Sequence, residues 1–244
     1  MFDRPALMRA AAVDRLGLRG EERIAGLVTG ADYPDALQPL VEVVTDVARR
    51  ICDVGAGLGA GSVHLARGSG VDVVATEPEV RTARTAREWF PGLEVAAAEA
   101  THLPFAARTC GAVTFLGAVS LVADLDTLLA EAARVVLGGG CLGIADLVRA
   151  PGRQARGGPK SFRTVEELVA SAATHGFGGA DVWDAPADLA TRWDPVKARV
   201  DEEMERHHAG SDAIAAWRED RRQLRALIAA GTLRLATVTA VARS

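Results

Sequence analysis

The stretch ICDVGAGLGAGS, Ile51 to Ser62, sets a run of small or flexible positions behind one carboxylate. Gly55 and Gly57, with Ala56 between them, suit a tight turn on whose main-chain N–H groups a ligand can lie. Gly59, Ala60 and Gly61 suit a helix packed closely on the preceding strand. Glu77 follows Gly55 by 22 residues, at the end of the next apolar run, VDVVATEPEV, with Pro78 after it. A carboxylate there can accept hydrogen bonds from both hydroxyls of a ribose. Gly55-x-Gly57-x-x-Ala60 also fits the dinucleotide fingerprint, so a nicotinamide cofactor stays open on this motif alone. Three features favour a different nucleoside. Asp53 stands directly before the glycines, where a carboxylate meets an ammonium better than a diphosphate. Glu99, followed by the backbone of Ala100 and Thr101, can read an adenine amino group and ring nitrogen. About 50 residues of helical pattern precede the first strand, which suits a substrate cover.

Further residues could carry chemistry. Asp146 is placed at the end of the fifth apolar run. Tyr33, the only tyrosine, lies in the break GADYP. His207 and His208 lie in a charged helical stretch and either could act as a base. His64 and His175 read as structural. A Tyr-x-x-x-Lys pair of the oxidoreductase kind is absent around Tyr33. The fourth strand, CGAVTFLGAV, ends on Gly117 without a titratable group, so catalysis by positioning is expected.

The elements that must hold these residues follow from periodicity. PALMRAAAVDRL, EERIAGLV and DALQPLVEVVTDVARR form helices over 1–48. From Arg50, the short apolar runs RICDV, VDVVAT, LEVAAA, AVTFLGAV and CLGIADLV alternate with helical stretches, one of them DLDTLLAEAARVVLGGG. That alternation indicates βαβ units with helices on both faces of a parallel sheet. TVEELVASAATHGF starts with a capping box, Thr164 and Glu167. GGADVWDA and LRLATVTAVA are the last strands. Between them, 186–231 is a helical insertion; its span Lys197 to Arg225 carries seven basic and seven acidic side chains and reads as a solvated cap. RAPGRQARGGPK, 149–160, reads as a loop.

At this point the sequence resembles the class I S-adenosylmethionine-dependent methyltransferases of the small-molecule branch. DVGAGLGAGS, ATEPE, AEATHLPF and AEAARVVLGGGCLGIADL carry the resemblance, in order. It implies an α/β, Rossmann-like seven-stranded mostly parallel sheet of order 3-2-1-4-5-7-6, with strand seven antiparallel. The helical N-terminal cap is 1–48, the core is 49–185 and 232–244, and the insertion before the last strand acts as a lid. The resemblance also implies that Asp53, Gly55, Ala56 and Gly57 cradle the methionine part of S-adenosyl-L-methionine. Glu77 and Pro78 would hold the ribose, Glu99, Ala100 and Thr101 the adenine, and Gly117 would border the site. Methyl transfer to a small, largely apolar acceptor would leave S-adenosyl-L-homocysteine.

Composition narrows the partners. A net charge of −4 and the absence of a basic stripe exclude a nucleic-acid surface. No uncharged run reaches membrane-spanning length. Cys52, Cys110 and Cys141 form no CxxC and read as buried free thiols of a cytoplasmic protein, with no metal site. A homodimer stays open. Only two of 28 basic residues are lysines, Lys160 and Lys197, a bias associated with GC-rich genomes and secondary metabolism.

Overall fold

The structure, a computed structural model, describes residues 3–28, 33–155, 160–186, 189 and 193–243. Parts of the break GADYP, of the 149–160 loop and of the start of the insertion lie outside the described residues. The cap consists of α1 (Asp3–Arg15), α2 (Gly20–Leu27), a 3-10 turn (Pro34–Leu37) and α3 (Gln38–Val47). The core then alternates β1 (Arg50–Val54), α4 (Ala60–Ser69), β2 (Asp72–Glu77), α5 (Val80–Trp89), β3 (Glu94–Ala97) and β4 (Cys110–Leu116). A second 3-10 turn (Val119–Leu121), α6 (Leu125–Val135), β5 (Val136–Arg149), α7 (Val165–Thr174) and β6 (Phe177–Asp184) follow. The insertion forms α8 (Asp194–His208) and α9 (Asp212–Ala229), and β7 (Leu233–Ala242) closes the sheet.

The sheet order is β3-β2-β1-β4-β5-β7-β6, as the resemblance implied. β1 to β5 pair in parallel, and β7 runs antiparallel to both neighbours. Each sheet face buries its own apolar cluster. One gathers Ile51, Ala75 and Ala112 with Leu40, Leu65 and the cap. The other gathers Val54, Val113, Phe115 and Ile144 with Leu128, Leu129 and Leu168. The capping box of α7 forms as read, with Thr164 and Glu167 bonding reciprocally. All three cysteines are buried and free.

Two expectations are corrected. VLGGG, read as the end of a helix, is the beginning of β5, which runs for 14 residues. Three consecutive glycines are poor helix material, and here one of them is required. A Cβ on Gly140 would lie 2.5 Å from the carbonyl oxygen of Gly111 on β4, so the strands meet only without a side chain. At its other end β5 continues to Arg149, so Asp146 stands three residues inside the strand.

The insertion is also less solvated than its charge suggested. α8 buries Val196, Val200 and Met204, and with them Lys197, Asp201 and Glu203. The N-terminal helices supply the matching cations. Arg9, 2% exposed, donates to Asp201 at 2.6 Å and to the carbonyl of Gly26 at 3.1 Å. Arg15 reaches Glu203 at 2.9 Å, and Arg221 of α9 reaches Asp201 at 3.1 Å. α9 itself buries only Ile214 among its described side chains.

Candidate cofactor and substrate site

The turn after β1 is stapled to the end of β2 by main-chain bonds. Gly55 N and Ala56 N both donate to the carbonyl of Thr76, at 2.8 and 2.9 Å. Gly57 N donates to Glu77 Oε2 at 3.0 Å, and Glu79 N donates to Glu77 Oε1 at 3.1 Å. Gly55 has φ of +75°, a conformation open chiefly to glycine. A Cβ there would stand 2.8 Å from that of Ala118, in the segment after β4. The turn is therefore pressed against the β4 loop with no room for a side chain. Glu77 is 8% exposed and lies where its carboxylate and the free face of the turn meet.

Asp53 is fully buried. Its oxygens accept from Ser62 Oγ at 2.5 Å and Thr114 Oγ1 at 2.9 Å, which ties the first turn of α4 to β4. These bonds make Asp53 part of the frame that holds the glycine turn.

Glu99, Ala100 and Thr101 follow β3 on the same edge, and Ala98 N bonds to the carbonyl of Glu77 at 3.3 Å. Glu99 is exposed, Ala100 and Thr101 are half-buried, and Pro78 is exposed at the bend after β2. Sequence reasoning missed what fixes this segment. Leu103 N donates to Glu131 Oε1 at 2.7 Å, while Arg134 reaches the carbonyls of Leu103 and Phe105 at 3.1 and 2.8 Å. Arg134 and Glu131 also pair with each other at 2.7 Å, and the guanidinium holds the Glu131 carboxyl below its usual range. The available signal was the Glu-x-x-Arg spacing in α6, which puts both on one helix face.

Gly117, at φ +77°, donates its N–H to the carbonyl of Ala145 at 2.7 Å. Beside it, Asp146 is 3% exposed and turned onto the second 3-10 turn. It accepts from Ser120 N at 2.9 Å, Ser120 Oγ at 3.1 Å and Leu147 N at 2.7 Å. Burial raises its carboxyl, and these bonds act in the opposite direction. The geometry assigns Asp146 to holding the β4 loop.

Tyr33 comes to the same edge from the cap. Lys197 Nζ donates to its hydroxyl at 2.9 Å, so the tyrosine without a nearby lysine in sequence has one in space. Trp193 Nε1 donates to Asp35 at 3.2 Å, and Thr237 Oγ1 to the carbonyl of Ala36 at 3.0 Å. His64 bonds to the backbone of Pro34, and burial lowers its pKa. His207 and His208 are not brought to this edge. They lie about 15 Å along α8 from Lys197 by helical rise. His207 pairs with Glu203 at 2.9 Å, and His208 Nε2 is buried without a partner among the described residues.

A groove of about 570 Å³ lies elsewhere, lined by Arg23, Arg67 and Trp89 and by Arg50, Asp72 and Glu94. The last three open β1, β2 and β3, so this groove is at the amino edge, a strand's length from the turn. No group of His, Cys, Asp and Glu able to hold a metal occurs among the described residues. No helix among them is long and apolar enough to cross a membrane.

The carboxyl edge fits S-adenosylmethionine. Gly55, Ala56 and Gly57 bring main chain with little side-chain cover to this edge, and the Glu77 carboxylate stands beside it. Comparisons with known proteins agree. A family model described as a methyltransferase domain matches residues 52–144. Demethylmenaquinone methyltransferase of Streptomyces avermitilis is 37% identical over 93 residues, 38% of this chain; that match spans 40% of the relative's own length. The cyclase SpnF superimposes with a TM-score of 0.67 at 19% identity, over 86% of this chain and 83% of that one. Geranyl diphosphate C-methyltransferase from Streptomyces coelicolor A3(2), solved with S-adenosyl-L-homocysteine, gives 0.58 at 16% identity, over 84% and 77%. At these identities the two structures speak for the fold. The strand order is that of these structures, and the segment from β1 into β5 is the part that matches the methyltransferase-domain model.

Proposed function

We propose that this protein transfers a methyl group from S-adenosyl-L-methionine to a small, largely apolar acceptor, with S-adenosyl-L-homocysteine as the second product. The observation that carries this reading is Glu77, set by its bond to Gly57 N beside a turn with no room for a side chain at Gly55. Gly55, Ala56 and Gly57 let the methionine part approach the main chain closely, their own N–H groups being held by Thr76 and Glu77 rather than offered to the ligand, and Asp53 keeps their turn in shape. Glu77 and Pro78 face the ribose. Glu99, Ala100 and Thr101 face the adenine, and Gly117 borders the sulfonium. The cofactor supplies an electrophilic methyl carbon. The protein's contribution is alignment and exclusion of water, because the end of β4 offers no base. Tyr33 is the side chain of the cap best placed to meet the acceptor. A reducing, cytoplasmic setting and a role in secondary metabolism accompany this reading, and so does the insertion as a movable cover.

A second reading has two observations in its favour. The apolar end of β4 and the cyclase among the structural relatives both suit a non-methylating enzyme that keeps the nucleoside as scaffold. Calorimetric titration with S-adenosylhomocysteine, beside NAD and NADP, tests the cofactor assignment. Binding of the first alone is expected; binding of a nicotinamide nucleotide instead would overturn it. Transfer of labelled methyl to candidate acceptors separates the two readings.

A further inference from the structure

Lys197 occupies an unusual position for this chain. It is one of two lysines among 28 basic residues and is 2% exposed. Burying an ammonium is costly unless oxygen atoms receive its protons. Its Nζ lies 2.9 Å from the Tyr33 hydroxyl and 4.2 Å from the centroid of that ring. The pair stands over the carboxyl edge of the sheet. Pro34, next to Tyr33, is bonded by His64 in the second turn of α4, immediately beyond the glycine turn. Ala36 is bonded by Thr237, which faces Ala145 on β5. Among the described residues, the charged groups near the pair include Asp35, His64, Arg9 and, one turn further along α8, Asp201.

We propose that Lys197 and Tyr33 form the acceptor-oxygen subsite, and that the acceptor carries an acidic hydroxyl of phenolic or enolic type. This rests on the methyl-transfer reading and names its substrate class. A phenol ordinarily ionises near pH 10; an ammonium at hydrogen-bond distance favours the oxyanion by about one to three units, and desolvation acts in the opposite direction. Lys197 thus supplies what β4 lacks: the acceptor loses its proton to water and binds as the oxyanion, so no side chain need remove a proton during transfer. Lys197 and the Tyr33 hydroxyl hold the acceptor oxygen by donated hydrogen bonds. That oxygen's lone pair forms the new bond to the methyl carbon, and the broken carbon–sulfur bond leaves its electron pair on sulfur. The ammonium stays protonated throughout. Lys197 and Tyr33 also reach the site from opposite ends of the sequence, so only an assembled cap and insertion present the subsite.

The test uses 4-nitrophenol, whose ionised form absorbs visible light, added to the full chain saturated with S-adenosylhomocysteine. The expected result is a bound probe that ionises at least about one pH unit below the free probe. Lys197→Met removes the shift, Lys197→Arg retains part of it, and Tyr33→Phe reduces it. Unshifted ionisation in the unaltered protein, or a full shift in Lys197→Met, overturns the subsite. Should Lys197→Met fail to bind S-adenosylhomocysteine, Tyr33→Phe decides, since it removes a single hydroxyl: an undiminished shift there overturns the proposal. An unaltered protein that binds S-adenosylhomocysteine and leaves the probe unshifted keeps the methyltransferase reading and loses only the subsite. Absence of S-adenosylhomocysteine binding overturns the reading itself.

Discussion

The edge proposed to face the nucleoside and the layer of cap and insertion, proposed as its cover, are built by different means. The glycine turn, the end of β2 and the segment after β3 are joined by main-chain bonds, with Thr76 and Glu77 receiving three consecutive N–H groups. The cover is joined by side chains from distant sequence: Arg9 with Asp201, Arg15 with Glu203, Lys197 with Tyr33. A backbone-built site depends on φ angles and close approach. A side-chain-built interface depends on each partner being present, because a buried charge left alone is costly. Damage to the first should therefore appear in ligand affinity, and damage to the second in stability.

The largest effect should come from Arg9→Met, which leaves the Asp201 carboxylate with Arg221 at 3.1 Å and the more exposed Arg225 at 3.7 Å. A loss of about 3 kcal/mol in unfolding free energy is expected from denaturant titration, with S-adenosylhomocysteine affinity of the folded fraction nearly unchanged. Glu77→Ala should show the reverse: binding weaker by roughly 1.5–3 kcal/mol in calorimetry, with the thermal midpoint barely moved. If these two variants exchanged symptoms, the distinction between the two regions would fail.

Asp146→Asn sharpens the comparison, because Asp146 is a side chain doing a backbone's task on the nucleoside edge. Its amide would place donors against Ser120 and Leu147, and a stability loss of about 1–2 kcal/mol is expected. In kinetics it should disturb both kcat and KM; loss of kcat alone, with stability intact, would return Asp146 to the chemistry.

Within the cover, α8 and α9 should differ. Amides of α9 are expected to exchange hydrogen about tenfold faster than those around Val200 in α8, since α9 buries little. Cofactor and acceptor together should slow α9 and leave α8 unchanged. Equal protection of both helices in both states would make the whole insertion a fixed element.

The smallest effect concerns pH. Burial lowers the pKa of His64, so the unfolded chain takes up a proton at a pH where the folded chain does not. Stability is then fully present above the ordinary histidine range and is lost as pH falls from that range to the depressed value. His64→Gln should flatten this part of a thermal-midpoint profile. An unchanged slope would mean that the imidazole is protonated equally in both states.

The two regions were also unequally legible. Everything on the nucleoside edge is written within short spans: Gly55 to Gly61, Glu77 at the end of an apolar run, Glu99 after the next. Turn chemistry and alternation reach that far, and the strand order followed from the resemblance. Glu131 and Arg134 escaped because their partners are the carbonyls and N–H of a loop about 30 positions away, which no spacing rule reports. The charges of α8 were misread for the same reason. Glu and Arg at balanced numbers look like a solvated face until α1, nearly 190 residues earlier, is found against them. VLGGG was misread because helical periodicity ran into it; the approach of Gly111 explains Gly140, and a φ of +77° explains Gly139.

The point at which the insertion leaves the sheet has a consequence for how such a protein can change over time. β6 and β7 are adjacent in the ladder, Asp184 lies opposite Ala236, and Ala185 N still bonds to Leu235 O as the chain departs. The excursion therefore begins and ends at what would otherwise be a hairpin turn. Its length and content can be exchanged without disturbing any strand register or the glycine turn at β1. The molecule is modular at this joint: α8 and α9 can change while the glycine turn and the strand order stay as they are. The restraint on that change is Arg9, which binds any replacement to provide a carboxylate where Asp201 now stands.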